Sequence, residues 1–332
     1  MTLNQAQTPQ VGWSVGCPED GEAYRACVER LDRLLGEPGP LISEIARFIL
    51  AGDGHLLSGE PATLWPIVVI RSCASAGGDW HAALWPAVAL ECAMTAADVF
   101  DDLADGESTD AIQHFGSGAV LTTALGLMTL ASSAVLRATD DGVPEQVAIR
   151  LGRLLGDGIA AAADGQARGL VARLSSTSVV DAYQLSASKS GPLGELATRL
   201  GAMVATADSE SVNGYARFGW HLGVYCQLIN DALDVLPDRP MKKRDVRDGS
   251  PTVPIVFTGS SGAPTRVDND DLVAWELAER RRIADEGGVA VAEVLAIAER
   301  IRAEEALDAL DRAGHRTDEL RKLLVVPNQN RC

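Results

Sequence analysis

Apolar residues recur every three or four positions along most of the chain, which is the spacing of one face of an α-helix. This spacing predicts helices over residues 24–35, 42–50, 85–104, 146–163, 181–205, 212–235, 272–286 and 289–313. Runs rich in β-branched residues are short, as at 67–70 and 253–256, so the strand signals are weak. The pattern therefore predicts an all-α protein whose helices pack as a bundle.

Gly and Pro clusters interrupt the helical pattern without dividing it into two independent hydrophobic units. We therefore expect one helical domain over residues 21–326, preceded by a disordered or loosely attached segment 1–20 and followed by a tail 327–332. Residues 119–136 carry no charge and are long enough to span a bilayer. They include five Ser or Thr and lack aromatic or basic anchors at both ends, so we interpret them as a helix buried on all sides.

The charge balance limits the kinds of partner. Among 332 residues, 29 Lys and Arg oppose 46 Asp and Glu, which gives a formal net charge of −17. We therefore expect no nucleic-acid partner and no stable membrane insertion, and a polyanionic substrate would need local cations or bound metal ions. The six Cys show no metal-binding spacing and no export signal is recognisable, which favours reduced thiols in a cytoplasmic protein.

Two acidic clusters end helices that are otherwise apolar. The first cluster comprises Asp98, Asp101, Asp102 and Asp105, and the second comprises Asn230, Asp231 and Asp234. The spacing of four between Asp101 and Asp105, and between Asn230 and Asp234, places each pair on one helix face. Crowded carboxylates repel each other, and Mg²⁺ ions between two facing helix ends would relieve this repulsion and hold a diphosphate. The alternative is that each cluster is only a solvated helix end, although acidic residues at a helix C-terminus oppose the helix dipole.

Basic residues accompany the acidic clusters. Lys189 lies between the clusters in sequence, and Lys242, Lys243 and Arg244 follow the second cluster closely. In a chain with this net charge we interpret them as a clamp for a diphosphate, the alternative being a solvated surface loop.

At these residues the chain resembles the trans-isoprenyl diphosphate synthase family and the wider class I terpenoid synthases. Residues 101–105 (DDLAD) are similar to the first aspartate-rich motif of the family, and residues 230–234 (NDALD) are similar to the second. Residues 189–190 resemble its Lys-Thr pair, residues 165–166 its Gly-Gln pair, and Gln227 stands at the family's Gln. The resemblance implies the isoprenoid synthase fold, a single large helical bundle with a central cavity, and a homodimer.

The resemblance also implies roles for individual residues. The expected catalytic residues are Asp101, Asp105, Asn230, Asp234 and Lys189, and the expected metal ligands are Asp101, Asp102, Asp105, Asn230, Asp231 and Asp234. The expected diphosphate-binding residues are Lys189, Gln227, Lys242, Lys243 and Arg244, and the expected pocket residues are Trp65, Met94, Ala96, Ala97, Phe100, Tyr183, Phe218 and Tyr225. The expected cofactor is Mg²⁺, three ions per active site, and the expected substrate is a prenyl diphosphate.

Departures from the family pattern concern the second substrate, isopentenyl diphosphate. Its cationic ligands in the family are replaced here by Ala62, Thr63, Trp65, Met94 and Ser250. Because the metal motifs are kept, we predict a terpene synthase that ionises an allylic diphosphate and cyclises the cation to a hydrocarbon or an alcohol. The alternatives are a prenyl diphosphate synthase with a remodelled second site, a prenyltransferase acting on a peptide or small-molecule acceptor, and an inactive regulatory subunit.

The chain length of the substrate is predicted from two alanines. In the resembled family, the residues four and five positions before the first motif line the floor of the hydrocarbon pocket, and here they are Ala97 and Ala96. Small side chains leave depth for a chain longer than farnesyl, which favours geranylgeranyl diphosphate. The alternative is that both alanines only permit close helix packing.

Overall fold

The computed structural model describes residues 18–59, 64–205, 208–239, 243–260, 262–263 and 269–324. The first seven α-helices are α1 (Pro18–Leu35), α2 (Pro40–Leu50), α3 (Leu64–Ser75), α4 (Leu84–Ala104), α5 (Asp110–Phe115), α6 (Ser117–Leu136) and α7 (Glu145–Val171). The others are α8 (Val179–Val204), α9 (Ser209–Asp234), α10 (Asp245–Asp248), α11 (Val253–Phe257), α12 (Asn269–Asp285), α13 (Gly288–Arg312) and α14 (Asp318–Arg321). Short 3-10 turns join some of them, and no strand occurs in these ranges, so the all-α prediction is confirmed.

Two details concern the weak strand signals and the expected N-terminal segment. The β-branched runs 67–70 and 253–256 are helical, because their side chains lie inside the bundle, where helices can be apolar all round. Helix α1 already begins at Pro18, so residues 18–20, expected as part of a loose segment, belong to a helix. Residues 1–17 and the tail from 325 onward lie outside the described residues.

Helix α4 occupies the centre of the bundle. It packs against α1, α3, α6, α7 and α8, and every side chain from Leu84 to Ala93 is buried. Helices α8 and α9 pack along each other, with α13 on the far side of α9 and α7 beside α8. This arrangement places the C-terminal end of α4 beside the middle of α8, where Lys189 lies.

Glycines allow α7, α8 and α9 to approach each other closely. A Cβ atom on Gly223 of α9 would lie 2.2 Å from the Ser190 carbonyl oxygen of α8, and one on Gly194 would lie 2.1 Å from the Gly219 carbonyl oxygen. A Cβ atom on Gly165 of α7 would lie 2.1 Å from the Ser188 carbonyl oxygen. No side chain fits at such distances, so these glycines fix how near α8 lies to its neighbours.

Helix α6 is buried on one side only, which corrects the expectation of a helix buried all round. Its inner face packs on α4, whereas Leu121, Leu125 and Leu136 are exposed. In the part of the chain that the structure describes, two helical segments are long and apolar enough to cross a membrane, Trp80–Ala104 and Ser117–Asp141, and 78% and 39% of their most apolar stretches are buried in the protein. The first is therefore a core helix, and the second carries an uncovered apolar face.

We predict that Gly223→Ala lowers the free energy of unfolding by about 2 kcal/mol or more, because the added methyl group would overlap the Ser190 carbonyl and force α8 and α9 apart. The control is Gly169→Ala on α7, where no atom lies within 4 Å of the added Cβ atom, and where Ala should stabilise the helix by about 0.5–1 kcal/mol. Urea unfolding measures both changes. Equal midpoints for the two variants would contradict the packing described.

Candidate active site

The C-terminal half of α4 is accessible along one face, whereas its N-terminal half, from Leu84 to Ala93, is fully buried. The side chains on this face follow each other at spacings of three and four residues: Met94, Ala97, Asp98, Asp101, Asp102 and Asp105. Such spacing marks a single face of a helix. This accessible face therefore begins at the first acidic cluster and continues for about two helical turns towards the start of α4, as far as Met94.

Asp101 joins α4 to α7 and α8. Lys189 Nζ donates to both carboxylate oxygens of Asp101, at 3.0 and 3.1 Å, and the Gln166 amide of α7 donates to the same carboxylate. Burial alone would lower the pKa of Lys189, but the neighbouring Asp101 raises it above its ordinary value. The ammonium therefore stays charged beside the first cluster.

The second cluster is held in place by side chains of α8. Asp231 is 4% exposed, and it accepts hydrogen bonds from Ser186 Oγ and Gln227 Nε2, each at 2.8 Å. Ser190 Oγ in turn donates to Gln227 Oε1 at 2.6 Å. Burial raises the pKa of Asp231 to about 6, and the two hydrogen bonds counteract that rise. Its neighbours Asn230 and Asp234 are half-buried, on the same side of α9.

Both clusters interact electrostatically with a third carboxylate, Asp245 of α10. Burial, followed by repulsion from Asp101, raises the pKa of Asp105 to about 6. Burial, followed by repulsion from Asp245, raises the pKa of Asp234 to about 7. Asp245 of α10 also contributes to the raised pKa of Asp105, so carboxylates of α4, α9 and α10 surround one shared region.

Two of the predicted basic residues close over the end of α4. Lys243 Nζ lies 3.4 Å from Asp102 Oδ1 and 3.2 Å from Glu107 Oε1. Arg244 contacts the Gly106 carbonyl at 3.4 Å. Burial alone would lower the pKa of Lys243, but Glu107 and the neighbouring aspartates raise it. Lys242 lies outside the described residues.

The donors around the shared region suit a hard divalent cation. All are carboxylate or amide oxygens, which Mg²⁺ prefers, and burial together with repulsion between carboxylates raises the pKa values of Asp105 and Asp234. Within the described residues, no three acidic, His or Cys side chains already converge into a complete cage. This fits Mg²⁺, which binds through one or two carboxylates and takes its other ligands from water and substrate phosphate.

The predicted pocket residues fall into two groups. Met94 and Ala97 lie on the accessible face of α4, Phe100 lies on its flank, and Trp65 is half-buried near the start of α3. The other four are buried in the core or hydrogen-bonded to another helix. Ala96 and Phe218 are fully buried and Tyr225 is 2% exposed, while the Tyr183 hydroxyl donates to Glu299 of α13 at 2.8 Å. Helix geometry directs Phe218 and Tyr225 away from the second cluster, into the core.

Four residues that contribute to the site were absent from the expected set. Gln166 binds Asp101, Ser186 binds Asp231, Asp245 faces both clusters, and Asp98 lies on the accessible face of α4. The Gly-Gln pair and the helical spacing of Asp98 were visible in the sequence. Asp245 lies in a stretch, 245–254, that also resembles the family's sequence after the second motif, whereas Ser186 carried no comparable signal, because its proximity to Asp231 depends on how α8 and α9 pack.

Comparison with known proteins identifies the family. Residues 56–277 match the family model described as polyprenyl synthetase. The chain is 24% identical over 231 residues to the farnesyl diphosphate synthase of Geobacillus stearothermophilus, covering 65% of this chain and 73% of that protein. It is 25% identical over 243 residues to the geranylgeranyl diphosphate synthase of Cyanophora paradoxa, covering 70% of this chain and 80% of that protein.

Solved structures share the fold. A polyprenyl synthetase from Streptomyces coelicolor A3(2) superposes with a TM-score of 0.75 at 22% identity, covering 92% of this chain and 96% of that chain. A polyprenyl synthase from Caulobacter crescentus CB15, complexed with calcium and isoprenyl diphosphate, superposes with a TM-score of 0.74 at 21% identity, covering 92% of both chains. The chain therefore belongs to the polyprenyl synthetase family, has the all-α fold of the isoprenyl diphosphate synthases and is an enzyme of that family.

Proposed function

We propose that this enzyme is a divalent-metal-dependent prenyl diphosphate synthase that extends an allylic prenyl diphosphate. The observation that carries the proposal is the pair of acidic clusters around one region, with Lys189 and Lys243 beside them. The names of the curated relatives favour chain elongation over cyclisation. The sequence-based preference for a terpene cyclase is therefore moved to second place.

The acidic residues would hold the metal. Asp101, Asp105, Asn230 and Asp234 would supply ligand oxygens, and three Mg²⁺ ions per site fit the number of donors. Bound Mg²⁺ supplies Lewis-acid stabilisation of the leaving diphosphate. Asp231 is fixed by Ser186 and Gln227 and cannot turn freely, so it keeps the second cluster oriented.

The cations would hold the diphosphate. Lys189 pairs with Asp101 at 3.0 Å, and the oxygens of a diphosphate would compete for this ammonium. Lys243 and Arg244 extend over the end of α4 from the opposite side. Charge that develops on the leaving oxygen would thus meet fixed cations from two directions, which lowers the barrier to breaking the C–O bond.

The accessible face of α4 suits the hydrocarbon chain. Met94 and Ala97 lie beneath the first cluster, and the small side chain of Ala97 leaves room for a long prenyl group. Each CH₂ group that is buried contributes about 0.8 kcal/mol to binding. Geranylgeranyl diphosphate is therefore the allylic substrate that we favour.

Cyclisation of the same substrate is the second candidate, and one observation favours it. Trp65, Met94 and Ser250 stand where the resembled family has cations for isopentenyl diphosphate, and none of the three can pair with a phosphate as a cation. An allylic cation formed next to Trp65 and Met94, without a second substrate, would react within its own chain.

The exposed face of α6 supports a homodimer. Leu121, Leu125 and Leu136 form an apolar surface on a helix that is otherwise packed on α4. A second copy of this chain would cover that surface, because large exposed apolar patches on a folded chain mark interaction sites.

Incubation with Mg²⁺, geranylgeranyl diphosphate and isotopically labelled isopentenyl diphosphate tests the function. We expect the label in a longer prenyl diphosphate, because the metal site would ionise the allylic substrate beside the second one. Asp101→Asn is the control and should lower incorporation at least about a hundredfold, since loss of even an outer partner of a metal ligand costs ten- to hundredfold. Unlabelled hydrocarbon or alcohol as the product would favour cyclisation, and no turnover of any prenyl diphosphate would contradict both candidates.

The carboxylates predict how stability depends on pH. The pKa values of Asp105 and Asp234, raised from 3.8 to about 6 and about 7, favour the folded state at low pH. This stabilisation is complete below the unfolded value of 3.8 and is lost as the pH rises through the folded values. We expect Mg²⁺ to raise the Tm more at about pH 8 than at about pH 5. Asp234→Asn should reduce that difference, and an equal Mg²⁺ effect at both pH values would contradict the account.

Two adjacent alanines provide a matched test of substrate length. Ala97→Phe places an aromatic ring on the accessible face of α4, so we expect preference to shift from geranylgeranyl to farnesyl diphosphate with little change in stability. Ala96→Phe overpacks a fully buried position, so we expect a loss of about 1–3 kcal/mol of stability instead. Product analysis and urea unfolding distinguish the two. An unchanged preference in Ala97→Phe would place the pocket floor elsewhere.

A further inference from the structure

A buried ion triad lies beside the active site and outside the metal-binding clusters. Glu276 and Arg280 of α12 are 0% and 1% exposed, and Arg280 Nε and Nη2 lie 2.9 and 2.7 Å from Glu276 Oε1. Arg247 of α10 donates to the other oxygen of Glu276. Burying such charges costs desolvation free energy that apolar side chains would avoid, so stability alone does not explain the triad.

The triad ties both ends of the segment that follows the second acidic cluster. At its start, Arg280 Nη1 donates to the Leu236 carbonyl at 3.2 Å. At its end, the Arg247 side chain binds Glu276, and the Arg247 carbonyl accepts from Ala263 N at 2.8 Å. One rigid pair on α12 therefore anchors the chain shortly after Asp234 and again in α10.

A small apolar cluster supports the same anchoring. Val235 and Val246, which flank the tied segment, pack with Ile255 of α11 and Ile283 of α12 in a cluster separate from the main core. Trp275 of α12 packs against this cluster. Helix α12 thus holds the segment through both apolar and ionic contacts.

The tied segment carries groups that face the metal region. Lys243 Nζ lies 3.4 Å from Asp102 and 3.2 Å from Glu107, and Asp245, two residues further along the chain, begins α10. A shift of α10 would therefore move a cation and a carboxylate at once.

We propose that Glu276 and Arg280 are positioning residues that fix Lys243 and Asp245 at the metal region and thereby set the affinity for the complex of divalent metal with diphosphate. This inference rests on the proposed function. It assigns the pair a role through residues 235–239 and 243–250 and places neither residue in contact with substrate.

Thermal unfolding with inorganic pyrophosphate and increasing Mg²⁺ tests the proposal without turnover. The readout is the Mg²⁺ concentration that gives half of the rise in Tm. We expect Glu276→Gln to raise this concentration about ten- to hundredfold, the usual effect of losing an outer partner of a metal site. Glu276→Asp keeps the carboxylate and should raise the concentration less. Arg247→Lys, at a side chain that is 26% exposed, should give a smaller increase and serves as the test if Glu276→Gln does not fold.

The matched control is Asp141→Asn, which breaks the bidentate pair between Arg30 Nη2 and Asp141 at 2.8 and 2.9 Å. It should lower the Tm in the absence of metal and leave the half-maximal Mg²⁺ concentration unchanged. If the triad variants also lower the Tm and leave the half-maximal Mg²⁺ concentration unchanged, this inference is wrong, whereas the proposed function still stands. A wild-type protein whose Tm does not respond to Mg²⁺ and pyrophosphate overturns the proposed function together with it.

Discussion

The repulsion between carboxylates of α4, α9 and α10 is the constraint on which the rest of the site depends. Asp105 and Asp234 have raised pKa values because they are buried and because other carboxylates face them. The chain offsets part of this charge with Lys189 on Asp101 and Lys243 on Asp102, and hydrogen bonds from Ser186 and Gln227 hold Asp231. What remains is negative potential in a region lined by oxygen donors, which divalent cations neutralise.

The packing of the bundle makes this concentration of charge possible. Glycines at the contacts of α8 with α7 and α9 let the backbones approach until no side chain fits between them, so Lys189 and Ser190 are carried towards the clusters on a rigid element. Helix α4 is enclosed by neighbours on all other sides and leaves one accessible face. The position of the site therefore follows from helix packing, and its chemistry follows from a few side chains at the ends of α4 and α9.

Much of this could be predicted from the sequence, and the remainder depends on tertiary packing. The apolar spacing predicted the long helices, and spacing of four within 101–105 and 230–234 predicted which carboxylates share a face. The prediction that Phe218 and Tyr225 line the pocket rested on their aromatic side chains alone. Both are buried in the core, because the sequence does not show which side of α9 faces it. The prediction that α6 is buried on all sides was wrong for a similar reason. An uncharged helix has the same sequence pattern whether one side or every side is covered. The names of the relatives favour elongation over cyclisation, and the sequence does not distinguish the two, because the chemistry at Trp65 and Met94 depends on what binds beside them.

The central claim is that an acidic site binds a diphosphate only through divalent cations. Isothermal titration calorimetry of inorganic pyrophosphate into the protein, with Mg²⁺ and then with EDTA in its place, tests this claim most directly. The account predicts saturable binding with Mg²⁺, none with EDTA, and a loss of binding in Asp101→Asn even with Mg²⁺ present. Pyrophosphate binding of equal affinity in EDTA would contradict it, because the Lys and Arg side chains alone would then suffice to hold the diphosphate.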